Sequence, residues 1–474
     1  MEEQLWEACA AGNVEEVIKL LQNSEININW QDSEYSRTPF YRACGWGHIE
    51  IVKLLLNDKR VDVNKPQGEG ATPFYIACKK GHIEIVKLLL NDKRVDINQA
   101  KNDGATPFYI ACECGQIDIV KNLLECRRGM DINKAMIEGA TSFWIACGWG
   151  HTEIVKLLLN DKRVDVNQTE TSIGATPFYI ACQEGYIEIV KLLLNDQRVD
   201  VNKADNDGAT PFYIACYSGH IEIVKLLLND NRVDINKPQN LGATPFYIAC
   251  GWGHIEIVSL LLNDKRIDAN KADNDGATPF YIACENGHID IMKLLLNNER
   301  IDITKALNTG ATPFYIACYN GHIEIVKLLL NDTRTDINNA QNEGVTPFYF
   351  ACEKGHIEIV KLLLNDERVD LNKANNNGLT PFWIACGYGH IEIVKVLLSD
   401  QRIDINQATN NDATPFYITC EKGHIEVVKY MLVCGREIDL NKKTTTKGRT
   451  ALDISKERSS GLKFNNEKEL WKDC

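Results

Sequence analysis

The stretch that decides the fold is GATPFYIACGWGHIEIVSLLLNDKRIDANKADND, residues 242–275. Nearly all of the chain repeats it. Nine of the twelve spacings between its recurring threonines are 34 residues, two are 35 and one is 36. These threonines are Thr38, Thr72, Thr106, Thr141, Thr176, Thr210, Thr244, Thr278, Thr312, Thr346, Thr380, Thr414 and, in a degenerate copy, Thr450. A fixed period of roughly 20–50 residues indicates stacked supersecondary units, so we predict an array.

Each copy predicts two short helices and a loop. Thr244 is expected to cap the first helix and Pro245 to occupy its first position, where a missing N–H costs nothing. The helix FYIAC turns its Phe, Ala and Cys inward and ends at Gly253. A second helix, HIEIVSLLL, carries apolar residues at helical spacing. Asn263-Asp264 then closes it in left-handed or turn geometry, and a polar tip turns the chain back.

The repeated pattern G-x-T-P-x-x-x-A-x-x-x-G-H-x-x-I-V-x-L-L-L…D-[VI]-N resembles the ankyrin repeat. The resemblance implies an all-α fold, a solenoid of stacked helix–turn–helix units with β-hairpin-like loops. Phe-Tyr or Phe-Trp replaces the family's usual Leu-His, Ser142 replaces one proline, and only Gly435 restores the usual glycine after the second helix.

The array divides into three parts. Residues 1–37 keep the two-helix pattern without Thr-Pro and carry more charge, as expected of an N-terminal capping repeat. Residues 38–449 form twelve ankyrin-like repeats. Residues 450–474 are predicted to be a C-terminal capping repeat, with a helix starting at Thr450 and with Leu470 and Trp471 turned inward.

Charge and cysteine usage limit the function classes. A net charge of −13 disfavours a nucleic-acid binder, which needs a basic surface. Thirteen of the 17 cysteines occupy one repeat position, where neighbouring layers are about 8–10 Å apart, too far for disulfides. Buried thiols, the lack of a signal peptide and the lack of an apolar run of membrane-spanning length predict a cytoplasmic protein with no membrane contact.

We find no catalytic or metal-binding constellation in the sequence. All ten histidines lie at the same Gly-His position of the repeat, where a structural hydrogen bond within the inter-helix turn is expected. Cys112 and Cys114 have no second pair nearby to complete a zinc site. No glycine-rich phosphate loop or nucleophile elbow is present. We therefore predict a non-enzymatic protein without cofactors or metals.

The repeats differ mainly at their polar tips and at the two residues that follow the first-helix cysteine. In ankyrin-like folds these positions line the concave groove and its edge. Trp46, Trp149 and Trp252 are 103 residues apart at each step. Large aromatic residues are over-represented at binding hot spots. The predicted protein-binding residues are Trp46, Trp149, Trp252, Tyr217, Tyr319, Tyr388, Lys79 and Lys80. The alternatives are that the tryptophans pack on the next helix and that Lys79 and Lys80 are merely solvated.

The favoured hypothesis is a monomeric protein–protein interaction scaffold that binds partner proteins along the groove and tips. The alternative is a structural tether or spring without a groove ligand. Two further substitutions, Arg42 and Phe350, replace the usual Ile of FYIAC and are minor candidates. The resemblance also implies that the Asn of the D-[VI]-N segment is open to hydroxylation, whereas its residue type favours a hydrogen bond to the neighbouring repeat; Asn64, Asn98, Asn202 and Asn236 fit that context.

Overall fold

A computed structural model describes residues 1–126 and 128–458. These residues form 27 α-helices and no β-strand. The chain divides into two compact units, which we call the N-terminal block (Met1–Asn240) and the C-terminal block (Leu241–Cys474). In both, short helices alternate in pairs, which confirms the all-α, ankyrin-like prediction.

The N-terminal block contains seven helix pairs. In chain order the helices are α1 (Glu2–Ala11), α2 (Val14–Leu21), α3 (Pro39–Trp46), α4 (Ile49–Asn57), α5 (Pro73–Lys80), α6 (Ile83–Asn91), α7 (Pro107–Glu113), α8 (Ile117–Glu125), α9 (Ser142–Gly148), α10 (Thr152–Asn160), α11 (Pro177–Gln183), α12 (Ile187–Leu194), α13 (Pro211–Ser218) and α14 (Ile221–Leu228).

The described part of the C-terminal block contains six pairs and one further helix. They are α15 (Pro245–Gly251), α16 (Ile255–Leu262), α17 (Pro279–Glu285), α18 (Ile289–Leu296), α19 (Pro313–Asn320), α20 (Ile323–Leu330), α21 (Pro347–Lys354), α22 (Ile357–Leu364), α23 (Pro381–Tyr388), α24 (Ile391–Ser399), α25 (Pro415–Lys422), α26 (Ile425–Val433) and α27 (Ala451–Arg458). The predicted inward positions Leu470 and Trp471 lie outside the described residues.

From α3 onward, threonine starts the first helix of each pair, as predicted, whereas Met1 precedes α1 without a side-chain cap. The Thr176 hydroxyl accepts a hydrogen bond from the Tyr179 N–H at 3.0 Å, and Pro177 occupies the first helical position. Thr141 caps α9 in the same way, although Ser142 replaces the proline there. At α27, Thr450 and Asp453 exchange bonds in a capping box. The repeat's local sequence therefore sets the beginning of each first helix.

The core consists of similar layers, to which both helices of each repeat contribute. The Phe, Ala and Cys of FYIAC face inward, and the phenylalanine of every full repeat is almost completely buried. The small Ala and Cys allow first helices of neighbouring repeats to pack closely, as α3 does against α5 and α17 against α19. The described cysteines are all free thiols, consistent with the predicted absence of disulfides.

The repeat histidines bind the preceding repeat. His82 Nε2 donates to the carbonyl oxygen of Gly45 at 3.1 Å, and His220 Nε2 donates to that of Gln183 at 2.8 Å. The predicted structural bond to backbone therefore forms, and its acceptor lies at the end of the previous first helix. Gly47, at φ 82°, leaves room for this, because a Cβ there would lie 2.7 Å from the His82 ring.

An Asp–Arg pair closes the second helix, and left-handed geometry does not. Asp58 is extended, and Asn195 is right-handed helical. Within the described residues, only Ser36 and Asp412 combine a positive φ with a side chain other than glycine. Of the two expected geometries the turn is therefore the one that occurs, and in it an aspartate accepts the N–H two residues later, as Asp196 accepts that of Arg198.

The arginine of this pair also joins repeats. Arg198 binds Asp196 at 2.6 Å and donates through Nη2 to the carbonyl oxygen of Leu159, 2.8 Å away, at the end of the preceding second helix. In the C-terminal block, Arg368 reaches Leu330 in the same way at 2.7 Å. Each such arginine thereby satisfies a helix-end carbonyl that has no partner inside its own helix.

The loops are hairpin-like but too short to form strands. Asp205 and Ala209 share one backbone bond of 3.0 Å across the tip, and the turn closes at Gly208 with φ 82°. The next bond is between repeats, since the Asn206 N–H donates to the carbonyl oxygen of Ile173 at 2.8 Å. The predicted hairpins are therefore single turns connected to one another along the array.

Two further side chains connect neighbouring repeats. Asn64 donates to the carbonyl oxygen of Arg94 at 2.7 Å and accepts the Asp96 N–H at the same distance, as its residue type suggested. The aromatic residue after Phe also bonds forward: Trp144 Nε1 donates to the carbonyl oxygen of Ala175 at 3.0 Å. Both positions are therefore structural.

The arginine contact can be tested by substitution. We expect Arg198→Ala to lower the free energy of unfolding by about 1–3 kcal/mol, because charge-assisted bonds to Leu159 and Asp196 are lost. Lys191→Ala is the control; it breaks an exposed ion pair with Glu188 and should cost no more than about 0.5 kcal/mol. Urea unfolding followed by circular dichroism measures both. Equal losses in the two variants would show that the arginine is not an inter-repeat contact.

The thermal stability of the fold should also depend on pH. Side-chain hydrogen bonds from arginine hold the pKa of Asp196 and Asp230 below the ordinary 3.8. The same shift occurs at Asp58, Asp92, Asp161, Asp264, Asp332, Asp366 and Asp400. A lowered folded-state pKa adds stability above the ordinary value and loses it as pH falls through the lowered one. We expect Tm to drop by roughly 5 °C or more between pH 5 and pH 3. A constant Tm over that range would contradict the assignment.

Candidate functional site

The variable residues lie at the ends of the first helices. We use the name helix-end position for the residue directly before the turn glycine. In each first helix this residue is either the last helical residue or the cap. In the N-terminal block it holds Trp46, Lys80, Cys114, Trp149, Glu184 and Ser218. In the C-terminal block it holds Trp252, Asn286, Asn320, Lys354, Tyr388 and Lys422. Lys79, Tyr217 and Tyr319 lie one residue earlier. Because first helices of neighbouring repeats pack together, these positions form one row in each block.

The large aromatic residues of this row are exposed. The exposed fractions are 59% for Trp46 and Trp149, 55% for Trp252 and 56% for Tyr388. Tyr217 is 39% exposed, and Tyr319 is half-buried. Lys79 and Lys80 are exposed. More than half of each tryptophan surface therefore remains open in the protein, although the residue type usually buries most of its area.

Packing explains the glycine that precedes each of these tryptophans. A Cβ at Gly45 would lie 3.2 Å from Ile76 of the next repeat, and one at Gly251 would lie 3.1 Å from Ile282. These glycines allow close approach of the next first helix, and neither has a positive φ. Other repeats carry Lys79 or Tyr217 at the position of these glycines, so packing favours the glycine without requiring it, and it does not account for the tryptophan that follows.

In the N-terminal block the row begins beside a cationic–aromatic cluster. The Arg42 guanidinium carbon lies 5.5 Å from the centre of the Trp46 ring and 4.3 Å from that of Trp6. A cavity of about 400 Å³ opens here, with Trp46, Arg42 and Lys80 among its lining residues. The structure thus brings two predicted site residues, Trp46 and Lys80, to one cavity.

In the C-terminal block an aromatic cluster occupies the row. Phe350 makes edge-on contacts with Tyr315 and Tyr319, with ring centres 5.1 and 5.0 Å apart. Lys354 lies over the Tyr319 ring at 4.6 Å. Tyr388 stacks on His390 of its own repeat, with ring centres 6.0 Å apart. Tyr319 is therefore largely committed to internal contacts, whereas Tyr388 keeps an open face.

A comparison with family models identifies the array. The model described as "Ankyrin repeats (3 copies)" matches residues 3–67, 59–136, 128–205, 196–273, 265–341 and 315–409. The chain belongs to the ankyrin repeat family. Ankyrin repeats are generally protein–protein interaction modules and are typically non-enzymatic. No curated protein matches the chain.

The potentially reactive or metal-binding side chains of this ankyrin repeat protein are repeat residues with structural contacts. In the described ranges, no three His, Cys, Asp or Glu side chains gather where a metal could bind. Burial raises the pKa of the Cys9 thiol to about 12 and that of Cys44 well above its usual range. Nor is any helix between residues 1 and 458 long and apolar enough to cross a membrane, leaving aside the undescribed residue 127.

Sequence comparison between repeats predicts this surface but gives little weight to two positions. Arg42 and Phe350, which replace the usual Ile of FYIAC, are only minor candidates from the sequence. The structure places each at the centre of a cluster, Arg42 beside Trp46 and Phe350 beside Tyr319. The sequence did contain a signal for these two positions. Each residue departs from the repeat, and each lies one helical turn before the variable pair.

Thiol labelling tests the distribution of reactive groups. We expect maleimide to modify Cys114 first under native conditions, because it is exposed, and the half-buried Cys126 and Cys434 more slowly. The thirteen buried repeat cysteines should react only after denaturation, since burial removes access and disfavours the thiolate. Peptide mapping by mass spectrometry reports each site. Native labelling of Cys44 at the rate of Cys114 would refute the predicted burial.

Proposed function

We propose that this ankyrin repeat protein is a non-enzymatic scaffold that binds partner proteins along the helix-end row and the polar tips. The observation that carries the proposal is the exposure of Trp46, Trp149 and Trp252 at one position of the repeat. Rigid aromatic side chains supply large contact area at low entropic cost. The remaining predicted contacts are Tyr217, Tyr319, Tyr388, Lys79 and Lys80.

Charge and position support a protein partner. The net charge of −13 opposes binding to nucleic acid. Nucleic-acid binding draws its affinity from basic side chains that displace the counterions of the phosphates. The tips supply exposed polar groups, such as Asp207 and Asn274. A polar rim around aromatic residues is typical of protein interfaces.

We further propose that residues 1–37 and 450–474 cap the twelve repeats of residues 38–449 and that the protein acts as a cytoplasmic monomer. The first helix, α1, supports the cap, because Glu3, Gln4 and Glu7 present polar side chains to solvent where a further repeat would otherwise pack. The free cysteines support a reducing compartment.

The test is a comparison of two sets of variants against the natural partner. Cross-linking mass spectrometry in the native lysate first identifies the partner and the contacted residues. Replacing Trp46, Trp149 and Trp252 together by Ala should then weaken the partner's Kd by about 30-fold or more, since hot-spot truncations typically cost 2 kcal/mol or more. Circular dichroism checks that the variant remains folded.

The matched control replaces exposed apolar residues elsewhere. Ile18 and Val433 are 45% and 77% exposed and lie on second helices. Ile18→Ala with Val433→Ala should leave Kd within about twofold. An unchanged Kd in the folded tryptophan variant, or the lack of any saturable partner, would favour the alternative of a structural tether or spring.

A further inference from the structure

Arg42 is a single departure within a repeat that is otherwise constant. It occupies the position that holds Ile in all other full repeats except one, where Phe350 stands. The equivalent Ile76 of the next repeat is half-buried. Substituting an arginine at such a position brings a permanent positive charge to the packed surface between α1, α3 and α5, a cost that Ile does not carry.

Two indole rings hold the guanidinium in place. The Arg42 guanidinium carbon lies 4.3 Å from the centre of the Trp6 ring and 5.5 Å from that of Trp46. Trp6 is itself fixed, because its Nε1–H donates to the carbonyl oxygen of Arg37 at 2.9 Å. Cation–π contacts of this kind position an arginine without neutralising its charge.

In the part of the chain that the structure describes, Arg42 forms no ion pair, and Asp32 acts on it only at longer range. Its Nε is enclosed and has no hydrogen-bond partner among the described residues. The neighbouring Arg37, by contrast, pairs with Asp32 at 3.1 Å. Burial, and then the positive charge of Arg37, lower the pKa of Arg42. The guanidinium is thus positioned, charged and without an anionic partner.

The surrounding cavity has room for such a partner. It measures about 400 Å³ and is lined by Arg37, Tyr41, Arg42, Gly45, Trp46, Ile76, Lys80 and His82. Lys80 is exposed and, within residues 1–126 and 128–458, forms no ion pair. With Arg37 partly neutralised by Asp32, Arg42 and Lys80 give the cavity a local excess of about two positive charges in an otherwise acidic protein.

We propose that this cavity binds the carboxylate of a Glu or Asp side chain from an acidic segment of a partner protein. The planar guanidinium suits a carboxylate, Lys80 supplies a second cation, and the open face of Trp46 covers the aliphatic part of the bound residue. The net charge of −13 disfavours a long nucleic-acid polyanion, whereas two local cations suffice for one or two carboxylates. This inference rests on the proposed function in taking the ligand to be a protein.

The test measures binding of a fluorescein-labelled hexaglutamate peptide to the full-length chain by fluorescence anisotropy at low salt. Arg42→Ile should weaken binding at least tenfold, and Lys80→Gln about threefold or more. Ile is the repeat's own residue at this position, so the Arg42→Ile variant is expected to fold, and its Tm verifies this. Lys59→Gln is the matched control, because Lys59 is an exposed lysine in the turn after α4 and belongs neither to the cavity lining nor to the helix-end row. It should leave Kd unchanged.

Four outcomes would overturn the assignment. They are wild-type affinity in folded Arg42→Ile, equal binding of a hexaglutamine peptide, equal loss in Lys59→Gln, and displacement of the peptide by inorganic phosphate or single-stranded DNA at lower concentration than by free hexaglutamate. Displacement by inorganic phosphate would point to a general anion site, and displacement by single-stranded DNA would point to a nucleic-acid ligand.

The experiments distinguish a refutation of the carboxylate-binding cavity from a refutation of the protein-binding scaffold. Trp149→Ala and Trp252→Ala lie outside the cavity and should not change peptide binding, but they should weaken binding of the natural partner. Loss of peptide binding in Arg42→Ile with no effect of these tryptophan variants on the partner would refute the scaffold surface and retain the cavity. The reverse pattern would refute the cavity alone.

Discussion

The carbonyl groups at the helix ends of one repeat are bonded by side chains of the next repeat, and the fold depends on this constraint. A helix of seven to nine residues leaves about half of its carbonyl oxygens without an internal partner. His82 reaches back to the first helix of the preceding repeat, and Arg198 reaches back to the preceding second helix. Short helices that are marginal alone are thereby stabilised by their neighbours.

The same constraint explains why so little of the sequence is free to change. The turn glycine must admit the next histidine, the tip glycine must admit the next asparagine, and the Asp–Arg pair must close one helix while bonding another. Each residue satisfies conditions in two repeats at once. Variation is therefore concentrated in the helix-end row and in the tip residues that are exposed to solvent, such as Asp207. A partner is most readily accommodated there.

Arg42 shows how function can be added to such an array at one position. Its charge replaces an apolar residue, and two indoles hold it while no acid of the described chain pairs with it. Phe350 replaces the Ile of the same repeat position in the other block, but its ring contacts neighbouring aromatic rings. One departure leaves an open charged cavity and the other a closed cluster, so the consequence of each substitution depends on its neighbours.

The sequence by itself determined the period, the two helices of each repeat, their threonine caps, the inward Phe, Ala and Cys, and the row of variable residues, because these follow from local spacing and capping. The tertiary structure decided which repeat each polar side chain binds. That His82 bonds Gly45, that Arg198 reaches back to Leu159, and that Trp46 and Lys80 share a cavity all require atoms more than 30 residues apart in the chain to come together. Spacing within one repeat carries no information on those distances.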